Sequence, residues 1–267
     1  MIDGALPYLR CPVCGGALTR PAERALRCPL GHSFDIARQG YVNLTAGRTP
    51  HSGDSVEMIE DREAFLAEGH YDFIAEALAE AAHPGDGLVV DAGTGTGRYL
   101  AGVLDAHPAA RGLGIDVSKP ALRRAARAHP RAAAALADLW SPLPLADASA
   151  STVLNVFAPR NGPEFRRVLR SDGLLLVVTP AADHLAELIA EFGLIKVDPD
   201  KAERVADSLG GGFAVRSTSR HHRTLRLSEA ETRTLIGMTP SARHVPRDAA
   251  GTHEVTAAVD LTAYQPI

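Results

Sequence analysis

From residue 87 onward the apolar positions come in short runs that alternate with stretches of helical spacing. Leu88-Val89-Val90 reads as a brief strand, and a helix opens near Gly95 and runs to about Ala106. Arg111 to Asp116 reads as a second strand. Ser118 caps the next helix, with Pro120 in its first turn. Strands are predicted at 132–137, 150–157 and 173–179, and helices near 161–170 and 182–192. This alternation predicts a parallel sheet covered by helices. Upstream, residues 54–82 read as a helical stretch, with Phe65, Phe73, Ile74 and Leu78 at helical spacing, ended by His83-Pro84-Gly85-Asp86-Gly87. In the tail, 213–226 and 253–263 read as extended with a helix around 228–237 between them. That predicts an antiparallel hairpin at one edge of the sheet.

Residues 1–46 are punctuated by Gly and Cys, and a unit this small needs a staple to fold. Gly47 to Asp54 reads as a linker. The predicted organisation is a small stapled domain over 1–46, a linker and helical segment over 47–83, and an α/β domain over 84–267. The 267 residues, 45% of them hydrophobic, suffice for one large and one small core. No run of apolar residues is long enough to span a bilayer, and Met1-Ile2-Asp3-Gly4 lacks a signal-peptide pattern, so a cytoplasmic protein without membrane association is expected.

The net charge of -4 does not announce a nucleic-acid binder, but its distribution is uneven. Residues 1–50 hold Arg10, Arg20, Arg24, Arg27, Arg38 and Arg48 against Asp3, Glu23 and Asp35. Lys119, Arg123, Arg124, Arg127 and Arg131 form a second basic run. Arg216, Arg220, Arg223 and Arg226, with His221 and His222 among them, form a third. Each run alone is compatible with a solvated face; on a separate small domain a local positive face matters more than the total.

All three cysteines, Cys11, Cys14 and Cys28, lie in that small domain. An odd number in one short segment argues for a metal over a disulfide framework. Cys11-Pro12-Val13-Cys14 is a C-x-x-C knuckle, and Cys28 with His32 supplies a second pair. Three thiolates and an imidazole suit one tetrahedral zinc, and four protein ligands make it structural. A redox C-x-x-C would need a thioredoxin-like setting that is missing here.

Asp91-Ala92-Gly93-Thr94-Gly95-Thr96-Gly97 sits between a predicted strand and a predicted helix. A glycine-rich turn there lets the backbone approach a nucleotide-like ligand. The dinucleotide spacing fails, because Arg98 stands where its last glycine would fall. The pattern D-x-G-x-G-x-G resembles motif I of class I S-adenosylmethionine (SAM) dependent methyltransferases, which implies a Rossmann-like, mostly parallel seven-stranded sheet. Asp116, ending the second strand, is placed to accept ribose hydroxyls. In the resembled class the acid ending the third strand, here Asp138, meets the adenine amino group, and the backbone N–H of Leu139 meets the ring.

With both constellations placed, nearly the whole chain resembles the bacterial 23S rRNA (guanine-N1)-methyltransferases of the RlmA/TlrB type. The resemblance runs through the Cys-x-x-Cys…Cys-x-x-x-His start, Phe34-Asp35, Arg38 to Leu44, Gly69-His70-Tyr71, Asn155 to Arg160, Thr179-Pro180 and His184 to Leu188. It implies methylation of N1 of a guanine in hairpin 35 of 23S rRNA, and a homodimer whose zinc domains help to form an RNA cleft. The wording is closer to the branch that acts on the 748-type guanine and contributes to tylosin-type macrolide resistance.

Methyl transfer needs guanine N1 placed opposite the sulfonium, and a destination for the N1 proton. By position the loop after the fourth strand borders that site. Phe157 is placed to stack on the base and Asn155 to hydrogen-bond its edge; the bland alternative for Phe157 is a buried strand-end aromatic. Asp183 and His184 are the nearest candidates to take the proton, with water as the alternative. Tyr41 serves either RNA contact or packing. Two other functions stay open from sequence: a SAM enzyme acting on a small molecule, and a non-catalytic RNA-binding module on this fold.

Overall fold

The computed structural model describes residues 2–47, 51–245 and 251–267. The chain begins with a short helix α1 (Ile2–Ala5) and a small antiparallel sheet of β1 (Thr19–Ala22), β2 (Ala25–Arg27) and β3 (Ser33–Asp35). Then follow β4 (Val42–Asn43) and helices α2 (Val56–Ala67) and α3 (Asp72–Ala81). The α/β region comprises β5 (Leu88–Ala92), α4 (Arg98–Ala106), β6 (Arg111–Asp116), α5 (Lys119–Ala128), β7 (Ala132–Leu136), β8 (Ala150–Val156), α6 (Gly162–Val168) and β9 (Leu169–Pro180). It ends with α7 (Ala186–Phe192), α8 (Lys201–Ser208), β10 (Phe213–Leu227), α9 (Glu229–Gly237) and β11 (His253–Pro266).

The large sheet has the order β10-β11-β9-β8-β5-β6-β7-β4. Its pairs from β9 through β4 are parallel, and β11 lies antiparallel to both β9 and β10. The seven strands implied for a SAM domain are β5 to β11; β4, from the cysteine-bearing segment, adds an eighth at the β7 edge. Strand β5 is buried along its whole length, as expected for a central parallel strand covered on both faces.

One sequence expectation is revised, one helix is new, and one expectation is met. The stretch 54–82 is two helices, because Gly69 at φ +79 takes the left-handed turn that ends the first. Helix α8 was not foreseen. The late strands form the expected antiparallel pair at one edge of the sheet, with β11 beside β9 and β10 outermost. The order of the two follows from composition: β11 buries Val255, Ala257, Val259, Leu261 and Ala263, whereas most of β10 is exposed. The more apolar strand takes the inner place.

Two cores lie on opposite faces of the sheet. One gathers Phe65, Ile74, Leu78, Leu104, Leu188 and Leu235 from the helices over one face. The other joins Leu9, Leu26 and Phe34 of the N-terminal segment to Leu113, Leu145 and Phe165 of the α/β region. Burying a side chain such as Leu9 or Leu26 stabilises by about 1.5–3 kcal/mol. Backbone bonds pin the same seam: Arg10 N–H donates to Pro144 O (2.9 Å), Ala146 N–H to Tyr8 O (2.9 Å) and Leu44 N–H to Leu136 O (2.9 Å). The cysteine-bearing segment is thus packed on the sheet and not merely tethered to it.

Candidate active site and metal centre

The sulfurs of Cys11, Cys14 and Cys28 and a ring nitrogen of His32 all lie within 4.8 Å of one another. Cys14 and Cys28 sulfurs are 3.7 Å apart, and His32 Nδ1 is 3.6 Å from Cys11 Sγ and 3.3 Å from Cys28 Sγ. A disulfide needs about 2.05 Å. A zinc tetrahedron with bonds of about 2.3 Å to sulfur and 2.0 Å to nitrogen has edges of about 3.5–3.8 Å. Two of the three measured spacings fall on those edges, and the third, 3.3 Å, is slightly shorter. Two tight turns make them: Gly15 N–H donates to Cys11 O (2.8 Å) and Gly31 N–H to Cys28 O (3.0 Å). Burial opposes ionisation of the Cys28 thiol, but hydrogen bonds from the His32 and Leu30 backbone, with Cys14 and His32 beside it, bring it down to about 6. A thiolate is the form that binds metal.

At the carboxyl ends of adjacent strands stand Asp91 on β5, Asp116 on β6 and, after β7, Asp138. The loop after β5 bends over β6, with the N–H groups of Gly93 and Thr94 both donating to Ile115 O (2.9 and 3.0 Å). Gly93 has φ +86, and a Cβ there would lie 2.4 Å from the Ala158 Cβ. Gly97, at φ +84, caps α4; a Cβ there would lie 3.0 Å from Ala125 Cα. Gly95 N–H donates to Asp116 Oδ2 (2.9 Å) and Ser118 N–H to Asp116 Oδ1 (2.8 Å). Burial raises the Asp116 carboxyl and pushes the Asp91 carboxyl up to about 7, while Thr94 Oγ1 donates to Asp91 (2.7 Å) and partly opposes that rise. Asp138 accepts from Trp140 N–H (3.0 Å) and faces His51 Nδ1 (2.7 Å). Leu139 is buried, its carbonyl taking a bond from Asn161 Nδ2 (2.8 Å).

Sequence reasoning missed the part played by residues 51–62. Besides His51, Asp54 O accepts from Ser118 Oγ (2.9 Å), and the Asp54 carboxylate pairs with Arg62 (2.6 Å). Arg62 Nη1 lies 3.4 Å from where a Gly95 Cβ would be. This segment crosses the carboxyl ends of β6 and β7. In the sequence His51 to Asp54 reads as linker and the residues after it as helix, and neither reading signals contact with the strand ends.

Beyond β8, Asn155 is fully buried. Its amide donates to Ala92 O (3.2 Å) and Pro159 O (2.8 Å), and its oxygen accepts from Arg160 Nη1 (3.4 Å). In this arrangement it shapes the loop and has no free edge for a base, unlike the sequence expectation. Phe157 stands at φ +51 with 43% of its surface exposed. Backbone strain at a bulky residue marks a position worth a functional test. Its ring is 6.0 Å from that of His184, at 34°. His184 is buried; Nδ1 accepts from Ala258 N–H (3.1 Å) and Nε2 faces the Tyr71 hydroxyl (3.4 Å). Burial pushes its pKa down to about 4. Asp183 is exposed, 4.0 Å from Arg220. Tyr41, by contrast, is buried against Leu122, Ala126 and Leu136 and serves packing. Arg48 lies outside the described residues.

Three carboxylates in strand order beside a loop that tolerates only glycine at two positions fit a nucleoside cofactor carrying a positively charged tail. Comparison agrees. A zinc-ribbon model described as "RlmA, N-terminal" matches residues 9–51, and a "Methyltransferase domain" model matches residues 89–173. Among solved structures, a chain of the complex between the Haloferax volcanii Trm112 methyltransferase activator and a methyltransferase superposes with TM-score 0.54, at 20% identity over 81% of this chain and 99% of that one. That likeness shows the fold alone. The fold and site are those of a class I SAM-dependent methyltransferase carrying an N-terminal zinc ribbon.

A Micromonospora griseorubida protein named for 23S rRNA guanine-N1 methylation is 59% identical, covering 98% of each chain. The 23S rRNA (guanine(748)-N1)-methyltransferase of Streptomyces fradiae is 47% identical, covering 100% of each. The chain belongs to the family of 23S rRNA (guanine-N1)-methyltransferases.

Proposed function

We propose that the protein methylates N1 of a guanine in hairpin 35 of 23S rRNA, at the 748-type position and not its neighbour, with SAM as methyl donor. The observation that carries this reading is the full-length likeness to the guanine(748) enzyme of Streptomyces fradiae. The exposed Phe157 ring, beside Ala158 that packs against Gly93, supports it, since an unstacked base needs an aromatic platform. The small-molecule and non-catalytic alternatives have no comparable observation in their favour.

Asp91, Gly93, Gly95, Gly97, Asp116, Asp138 and Leu139 would hold SAM, which supplies an electrophilic methyl group. Phe157 stacks on the guanine and orients N1. Asn155 and Arg160 keep the loop in shape. His184 positions Phe157 and does not act as a base: Nδ1 is occupied by the Ala258 N–H, so the ring proton sits on Nε2 and points to Tyr71. As the N1–methyl bond forms, the methyl–sulfur bond would break to leave S-adenosylhomocysteine, and the N1 proton leaves to water. Cys11, Cys14, Cys28 and His32 hold one structural zinc.

On this reading residues 1–46 recognise RNA, 47–83 form a linker and helical segment, and 84–267 catalyse, with two copies forming a dimer. A cytoplasmic location fits an rRNA substrate, and among the described residues no helix is long and apolar enough to cross a membrane. A contribution to tylosin-type macrolide resistance follows from the 748-type position. The direct test is nucleoside analysis of hairpin RNA after incubation with SAM. 1-Methylguanosine is expected, and a methylated nucleoside of any other kind would refute the reaction.

A further inference from the structure

Strand β10 carries the third basic run, and the function described so far gives it no task. It forms the open edge of the large sheet, beside β11. Because β11 runs antiparallel to both neighbours, β10 runs parallel to β9. Val259 pairs with Pro180, the last residue of β9, and His221 pairs with Val259. From His221 to Leu227 the β10–β11 ribbon therefore continues past the carboxyl end of β9, by about 20 Å at ~3.3 Å per residue.

That projection starts beside His184, whose ring lies 6.0 Å from that of Phe157. Ala258, the residue whose N–H holds His184, pairs directly with His222. Arg220 reaches to within 4.0 Å of Asp183, next to His184 in the chain. One face of the ribbon is closed by packing: Leu225 and Leu227 are buried, and the Arg223 guanidinium lies 5.5 Å from the centre of the Phe73 ring. The outer edge and the other face are open, and Arg220, His222 and Arg226 stand on that face at alternate positions.

The ribbon is locally basic in an acidic chain. Its two strands hold Arg216, Arg220, Arg223 and Arg226 against Glu254 and Asp260, while the whole chain carries -4. The Arg226–Glu254 pair (3.3 Å) is solvent-exposed and weak; Arg220 is held to Asp260 by two bonds (2.9 and 3.1 Å) but is itself half exposed and keeps further N–H donors, so both guanidinium groups can also meet another anion. A second copy adding its own β10 to this edge would set Arg and His against Arg and His, which like-charge repulsion disfavours. A polyanion fits the same edge.

We infer that the β10–β11 ribbon is an RNA-backbone rail, on which Arg220 and Arg226 contact the phosphates flanking the target guanine. This rests on the RNA reading above. The test compares hairpin RNA binding and turnover for the wild type, for Arg220→Gln/Arg226→Gln, and for Arg216→Gln, which lies on the same strand but toward the opposite end of the sheet. The double variant should bind the hairpin roughly tenfold more weakly and raise KM more than it lowers kcat. The slope of log Kd against log salt should fall by about 0.7–0.9 for each lost phosphate contact. SAM affinity and thermal melting should stay unchanged, and Arg216→Gln should behave as wild type. Unaltered RNA affinity and salt slope in the double variant would overturn the rail while leaving the RNA substrate standing. Equal weakening by Arg216→Gln would overturn it in favour of diffuse charge, and a changed oligomeric state in favour of strand pairing. A wild-type protein that does not bind the hairpin would refute both readings.

Discussion

The backbone N–H of Ala258 donates to Nδ1 of His184 across 3.1 Å, and this bond ties the ring beneath Phe157 to strand β11. Burial holds the ring neutral, pushing its pKa from 6.5 to about 4. The unfolded chain takes up a proton as pH falls through the ordinary histidine value, and the native state resists it. The stabilisation is therefore present above pH 6.5 and is lost as pH falls toward 4, by roughly 3 kcal/mol for a shift of this size. Urea unfolding between pH 7.5 and 4.5 should show a shallower acid loss in His184→Gln than in wild type. Parallel profiles would show that the ring titrates normally.

Asp91 has the opposite sign. Burial raises its folded-state pKa to about 7, so the ligand-free site favours the protonated acid below that pH. A cofactor bringing a sulfonium and an ammonium into the cleft favours the carboxylate, so binding should release a proton. SAM affinity should rise by up to about tenfold from pH 6 to pH 8, and calorimetry in two buffers should detect the released proton. Asp91→Asn should abolish the dependence. A pH-independent affinity in wild type would place the cationic part of SAM elsewhere.

Gly93→Ala combines a positive φ with a Cβ 2.4 Å from Ala158. It should cost about 1–3 kcal/mol of stability and displace the loop that carries Phe157. Thermal melting and SAM titration check both effects; a variant with wild-type values for each would mean that the turn has room to relax.

Cys14→Ser should release the zinc, read as metal content per chain. Leu9, Leu26 and Phe34 share a core with Leu113 and Leu145, so the melting temperature of the whole protein should fall. SAM affinity should stay within about threefold, because the core shared with Leu113 and Leu145 lies on a face of the sheet. A large loss of SAM binding would show tighter coupling than the packing suggests.

Much of this was legible from local pattern. The β5–β6–β7 succession, the glycine turn and the four metal-ligand positions are written in short-range periodicity and spacing, which a parallel sheet and a zinc knuckle both demand. What escaped depends on distant partners. Nothing in Val42-Asn43 announces a strand, because its pairing is with β7 far along the chain. His51 was lost in a linker whose role comes from meeting Asp138. The sequence offers Asn155 as a base-edge contact because amides suit that task; only the three-dimensional loop shows its amide spent on Ala92 and Pro159.

The central claim is methylation of guanine N1 in hairpin 35. Primer extension on 23S rRNA from cells lacking the enzyme, before and after treatment with the protein and SAM, tests it most directly, because a methyl on N1 blocks Watson–Crick pairing. A new stop at the 748-type guanine, lost in Phe157→Ala, is the predicted result. Full-length extension through hairpin 35 despite intact SAM binding would contradict it.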